Sequence, residues 1–326
     1  MGRSCSGPAH KIIPCVKIYL MSIRIVFMGS PAFALPILNI LARDYTVVGV
    51  VTQPDRPAGR GQVLTPPPIK ELAVNLGVPV IQPNRLREPA AIQQLQDWMP
   101  DLIVVAAFGQ ILRQVVLDLP LLGCVNVHAS LLPRWRGAAP VQAAILSGDS
   151  STGITIMKMD AGVDTGAILS QRALLINAND NGESLSERLA ELGAGLLAEV
   201  LPRYIAGKIT PQPQDELLAT GAVMIRKEDG LLDFTQPAEI LERQVRAYYY
   251  WPGAYFMWQG APFKVLRAHV YSETETFSGQ EGIIQKYPAV GTNKGWLVLD
   301  VVQPAGKKPM AGNVFLRGAV NWGQIK

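Results

Sequence analysis

Short apolar runs and helical stripes alternate along the first two thirds of the chain. Ile23 to Met28 (IRIVFM) is an apolar run broken by one arginine, and Gly29-Ser30-Pro31 follows. That pattern predicts a buried strand entering a helix through a tight turn. Phe33, Ile37, Ile40 and Leu41 then recur at helical spacing. Tyr45 to Thr52 is valine-rich and reads as a second strand, with further strands at Pro79–Ile81, Leu102–Ala107 and Cys124–Val127. Helical stripes fall between them at Ile69–Leu76 and Ala90–Trp98. Such alternation predicts an α/β fold, a parallel sheet with helices on both faces.

Residues 181–207 make the clearest helix. Ser184 and Glu187 match a capping box, Leu185, Leu189, Leu192, Leu196 and Val200 line one face, and Gly207 closes it. ITPQPQDELLATGA follows, with two prolines and mixed polarity, and reads as a linker over 208–225. Beyond it the period changes. One helix over 237–248 precedes short strands at Ala254–Trp258, Phe263–Tyr271, Gly282–Gln285 and Gly295–Val302, with Gln259-Gly260 as a turn. This is an all-β pattern that fits a small barrel. The predicted domains are therefore 21–207 and 226–326, with residues 1–20 as an extension ahead of Met21.

Composition narrows the class. The chain has 326 residues, 48% hydrophobic and 17% charged, which excludes a disordered chain. A formal charge of +4 permits an anionic partner without requiring one. No apolar run is long enough for a membrane span, and KIIPCVKIYL at 11–20 lacks a clean signal-peptide core. Three cysteines, Cys5, Cys15 and Cys124, match no zinc spacing and fit a reducing, cytoplasmic setting. Cys124 reads as a core thiol, with a nucleophile as the alternative. The turn after the first strand is G-S-P-A-F, not G-x-G-x-x-G, so NAD binding is unsupported.

Candidate chemistry starts from scarcity. Histidine occurs only at positions 10, 128 and 269. His10 lies in the extension, and His269 sits in a strand-like run where packing or surface exposure is the default. His128 ends the strand that carries Asn126, and alternation puts the two on one side of the strand end. Ligands bind at the carboxyl ends of such strands. The loop SLLPRWRG after it reads as a substrate wall, or as a surface loop with incidental charge. GITIMKM at 153–159 is strand-like and leads into Asp160-Ala161-Gly162-Val163-Asp164-Thr165-Gly166. Two glycines four apart let this turn fold sharply and point an aspartate inward, Asp160 or Asp164. Acyl transfer to an amine needs a proton shuttle, a donor to the developing oxygen charge and a carboxylate partner. Histidine, asparagine and aspartate supply these without a metal, and no metal-ligand cluster is visible.

NVHASLLPRWRGAAPVQ at 126–142 and TGITIMKMDAGVDTG at 152–166 closely resemble the folate-dependent formyltransferases. RWRGAAPVQ, TQPDRPAGRG at 52–61, VVAAFGQIL at 104–112 and QPAGKKPM at 303–310 are similar to the branch acting on methionyl-tRNA. The likeness runs from about Ile23 to the end. It implies a Rossmann-like formyltransferase domain joined to a C-terminal barrel resembling an OB fold. It implies formyl transfer from 10-formyltetrahydrofolate to the α-amino group of methionyl initiator tRNA. A monomer is expected separately, since the sequence shows no exposed heptad or obvious interface patch.

The resemblance also assigns residues. It puts catalysis on Asn126, His128 and Asp164, choosing Asp164 over Asp160. It puts folate contacts on Phe108, Gly109, Ile111 and Leu112, on Ser130, Leu131, Leu132 and Pro133, and on Asp160 and Gly162. It puts RNA contacts on Arg56, Arg60 and Lys70, in and beside a loop at about 52–67. Twelve Lys and Arg against nine Asp and Glu from Arg226 to Lys326 fit modest electrostatic RNA binding. Rival readings are a formyltransferase acting on an amino-sugar nucleotide, a formyl-folate hydrolase and a non-catalytic RNA-binding module.

Overall fold

The computed structural model describes residues 23–58, 61–272, 277–319 and 321–323. The extension 1–20, with His10, Cys5 and Cys15, the start at Met21, and Arg60 all lie outside the described residues.

The predicted strands form, with ends shifted by one or two residues. In chain order they begin with β1 (Arg24–Gly29), β2 (Thr46–Val51), β3 (Arg56–Ala58), β4 (Val63–Thr65), β5 (Val80–Ile81), β6 (Leu102–Ala106) and β7 (Cys124–His128). Next come β8 (Arg136–Gly137), β9 (Ser151–Lys158) and β10 (Ile168–Leu175). Seven of these make one sheet in the order β10-β9-β7-β6-β1-β2-β5. From β5 to β7 the pairings are parallel, which orders those five strands in the 3-2-1-4-5 sense of a Rossmann-like half. β6 and β7 are buried at every position, as a sheet covered on both faces requires. β9 then pairs with β7 antiparallel, a departure that the alternation did not signal. Several pieces were also missed, among them the β3–β4 hairpin, β10, and a later strand at Tyr287–Gly291. All are short or carry polar residues on one face, so apolar runs do not mark them.

The chain falls into two compact units. Of the described residues, one unit is built from those up to His128, Thr155–Gln171 and Ala190–Gln214; the other from Ala129–Ile154, Arg172–Leu189 and those from Asp215 onward. The core of the first joins Val26, Met28, Val51, Leu95, Trp98, Ile103 and Val105 from the strands and an adjoining helix.

The second unit holds β11 (Gly221–Ala222), which pairs in parallel with β8. It also holds β12 (Ala254–Trp258), β13 (Ala261–Tyr271), β14 (Glu281–Ile284), β15 (Tyr287–Gly291), β16 (Trp296–Gln303) and β17 (Met310–Ala311). These six form an antiparallel sheet in the order β12-β13-β16-β15-β14, with β17 on β16. Trp258 Nε1 donates to Glu281 Oε1 at 3.0 Å, joining the two outer strands side chain to side chain. One face packs Phe256, Phe263, Phe315 and Trp322 together, Phe256 and Phe263 tilted and the other cited pairs edge to ring, with centroids 5.0–6.5 Å apart.

The long helix runs from Gly182 to Ile205. Its cap differs from the expected Ser184–Glu187 box. Asn181 Oδ1 accepts the backbone N–H groups of Glu183 and Ser184, and Ser184 Oγ accepts the N–H of Asn181. The reciprocal bonds of a box are there, one turn earlier, with Asn181 at the cap and Ser184 as the residue that reaches back. Residues 208–225 are also more tied down than a linker reading implies. Gln212 exchanges both backbone bonds with Ile168, each 2.8 Å.

Candidate active site

Strand β7 brings Asn126 and His128 to its carboxyl end, both less than a tenth exposed. Their antiparallel neighbours on β9 are Met157 and Thr155. β9 leaves the sheet at Lys158, and the turn that follows returns as Ala167 O accepts the Lys158 N–H at 2.9 Å. Asp164 sits on this turn and points back at β7. Its Oδ1 accepts from Asn126 Nδ2 at 3.3 Å, and its Oδ2 lies 3.6 Å from His128 Nδ1. One carboxylate therefore addresses both other members of the predicted trio. The structure brings together three residues that span 38 positions of sequence.

The turn works differently from the expectation. Neither Gly162 nor Gly166 has a positive φ; Asp164 itself does, at 53°. The glycines are needed for close approach instead. A Cβ on Gly166 would lie 1.9 Å from Lys158 O, and one on Gly162 would lie 2.0 Å from Thr165 Oγ1. Asp160 has a different place from Asp164. Its Oδ1 accepts the Gly162 N–H at 3.0 Å and the Thr165 hydroxyl at 2.6 Å, so it holds the turn rather than facing β7.

Sequence reasoning missed Gln214. Its Nε2 donates to Asp164 O and to Gly166 O, both at 2.8 Å. Nothing in the local pattern marks it, since it lies 50 residues from Asp164 in a segment read as a connector.

The other candidates have varied surroundings. Phe108 and Leu112 have their side chains in the core of the first unit, whereas Ile111 is exposed. Gly109 has a positive φ, and the neighbouring Phe108 carbonyl accepts from Gln53 Nε2. Ser130 is buried and its hydroxyl donates to Arg134 O at 2.6 Å; Leu132 is buried, and Leu131 and Pro133 are half-buried. In the loop read as a substrate wall the arginines are paired. Arg134 grips Asp149 with two bonds while stacking on Trp135, and Arg136 grips Glu216. Burial pushes the Asp149 carboxyl up, but hydrogen bonds from Arg134 and Trp135 outweigh it and hold the group below its ordinary value. Arg56 is exposed and bonds Gln53 Oε1, while Lys70 is paired with Asp55 at the root of the β3–β4 hairpin. Hydrogen bonds from Gln82 and Lys70 hold the Asp55 carboxyl below its ordinary value. His269, for which packing and surface exposure were both open, is half-buried with its Nδ1 2.9 Å from Asp300 Oδ1. Cys124 is a buried thiol.

Among the described residues no helix is long and apolar enough to cross a membrane, and no group of three His, Cys, Asp or Glu could hold a metal ion.

Known proteins share this plan. The Formyl transferase family profile matches residues 23–201, and the profile for the Formyl transferase C-terminal domain matches 224–320. A methionyl-tRNA formyltransferase from Roseiflexus sp. (strain RS-1) is 49% identical over 302 residues, covering 91% of this chain and 93% of that one. Among solved structures, an N-formyltransferase from Helicobacter canadensis in complex with folinic acid and dTDP-3-aminofucose superposes with a TM-score of 0.62 at 17% identity, covering 86% of this chain and 99% of that one. A methionyl-tRNA formyltransferase from Clostridium thermocellum superposes with a TM-score of 0.54 at 16% identity, covering 76% and 93%. At those identities the two structures bear on the fold alone.

Proposed function

From the premise that the chain belongs to the formyl transferase family, matched in both its domains, we infer that it formylates methionyl initiator tRNA for translation initiation. The donor is 10-formyltetrahydrofolate and the acceptor is the α-amino group of the esterified methionine. The amine nitrogen bonds to the formyl carbon, the bond from that carbon to N10 breaks, and the proton lost by the amine ends on N10.

The observation that carries the mechanism is the Asp164 carboxylate shared between Asn126 and His128. Asn126 has two amide N–H groups, and one is committed to Asp164. The amide donates to the formyl oxygen as negative charge collects there. His128, buried at a strand end, takes the amine proton and delivers one to the leaving nitrogen. Asp164 orients the imidazole and compensates the positive charge it gains. The residues present fit a formyl-folate donor in kind, since they offer a neutral N–H donor and an acid–base pair at the strand end where ligands bind. The contacts implied for Phe108–Leu112, Ser130–Pro133, Asp160 and Gly162 belong to this reading, as do those of Arg56, Arg60 and Lys70 with RNA. The enzyme works as a cytoplasmic monomer in this reading, and a buried free thiol suits a reducing compartment.

The test is transfer of labelled formyl from 10-formyltetrahydrofolate, offered to charged initiator tRNA, uncharged tRNA, water and an amino-sugar nucleotide. Label on charged tRNA alone is expected. Label on the sugar, or free formate without tRNA, would overturn the assignment.

A further inference from the structure

We propose that Gln214 is a positioning residue for the transfer, fixing through its side-chain amide the backbone that presents Asp164 to Asn126 and His128; this rests on the role given to Asp164 above. A primary amide nitrogen carries two N–H donors, and Gln214 Nε2 reaches Asp164 O and Gly166 O, both at 2.8 Å. The half-buried side chain thus straddles the residue that bears the carboxylate and the residue two positions on.

The approach is set by backbone pairing. Gln212 and Ile168 exchange both of their N–H···O bonds in an antiparallel bridge. Continuing that register by two residues sets Gln214 opposite Gly166. On its other side Gly166 lies so close to Lys158 O that no side chain fits. Gly166 is therefore held between the end of β9 and the Gln214 amide.

Asp164 needs such a hold. Its φ of 53° is uncommon for residues with a Cβ, although aspartate adopts it more readily than most, so bonds to its backbone help keep it there. Asp160 secures the front of the turn through Gly162 and Thr165, and Gln214 secures the Asp164 carbonyl itself. The contacts of the carboxylate, at 3.3 and 3.6 Å, leave little room for drift. A misplacement of about 1 Å near a reacting centre costs on the order of a hundredfold in rate.

The experiment compares Gln214→Ala, Gln214→Glu and a control, Gln212→Ala, whose amide reaches only Thr210 O within its own segment. Gln214→Ala is expected to lower kcat by roughly ten- to a hundredfold, with KM for both substrates within about twofold. Gln214→Glu is expected to lose at least as much, since carboxylate oxygens then face two carbonyl oxygens. Gln212→Ala stays near wild type. Amide hydrogen exchange supplies a readout independent of turnover: in Gln214→Ala the peptide spanning 160–167 exchanges faster, while β6 and β7 keep their protection and Tm is nearly unchanged. Wild-type kcat and wild-type exchange in Gln214→Ala overturn the proposal. So does a loss in which Tm falls and protection drops across the whole sheet, which marks general fold support. Failure of the underlying reading looks different, because wild-type protein would then not formylate charged tRNA, or Asp164→Ala would remain active.

Discussion

A carboxylate between an amide and an imidazole ties three side chains into one unit, so single substitutions within the trio should not differ much in their effect on rate. Loss of one N–H donor to a developing oxygen charge costs about a hundred- to a thousandfold in kcat. Asn126→Ala is expected in that range, with His128→Ala and Asp164→Ala at least as severe, while all three keep wild-type circular dichroism. Single-turnover formylation of charged tRNA checks this, and a near-normal rate for His128→Ala would remove the histidine from the mechanism. Cys124 shows the opposite fate of a reactive group. Burial, with Asp118 adding, pushes its thiol up to about 12. At pH 8 the folded protein should leave Cys124 unalkylated by iodoacetamide, and denaturant should expose it, as read by peptide mass spectrometry. That outcome separates the core-thiol reading from the nucleophile.

At the scale of elements, the helix Gly182–Ile205 and the 160–166 turn carry two of the differences from expectation. A cap is decided by which side chain the entering chain aims at the first free N–H groups, and that is Asn181. Asn181→Ala should cost about 1 kcal/mol, and Glu187→Ala much less; urea unfolding at constant m-value distinguishes them. Equal losses would restore the Ser184–Glu187 box. In the turn, glycine spacing was the legible signal. Its cause, backbone approach to Lys158 and to Thr165, is a property of the folded neighbours and leaves no periodic trace.

For the whole molecule, the antiparallel C-terminal sheet rests on its own aromatic core. Phe263 is buried and touches Phe256, Trp258, Phe315 and Trp322. Phe263→Ala should destabilise by about 3–5 kcal/mol, as deletion of a buried ring does. Chemical denaturation followed by tryptophan fluorescence measures it, and a loss under about 1 kcal/mol would mean this cluster is loosely packed. Residues 254–302 announced β12, β13, β14 and β16 as short runs set off by turn signals, but not β15, which lies between two of them.

Part of this protein is legible in its amino acids alone, through local and near-local physics. Buried runs such as Leu102–Ala106 and Cys124–His128 have to be interior strands, and alternation within β7 puts Asn126 and His128 on one side. Scarcity of histidine narrowed the acid–base candidate to His128. The resemblance carried by NVHASLLPRWRG and DAGVDTG then chose Asp164 over Asp160. Only the tertiary structure decided the rest. The antiparallel run of β9 beside β7 brings the Asp164 turn onto the strand end. The pairings of Arg134 with Asp149 and Arg136 with Glu216 show that two loop arginines are spoken for. The amide of Gln214, from a segment that looked like a connector, reaches the backbone of Asp164. These are contacts between residues tens of positions apart, and no period or propensity within a window of ten or twenty residues encodes a partner that folding alone brings near.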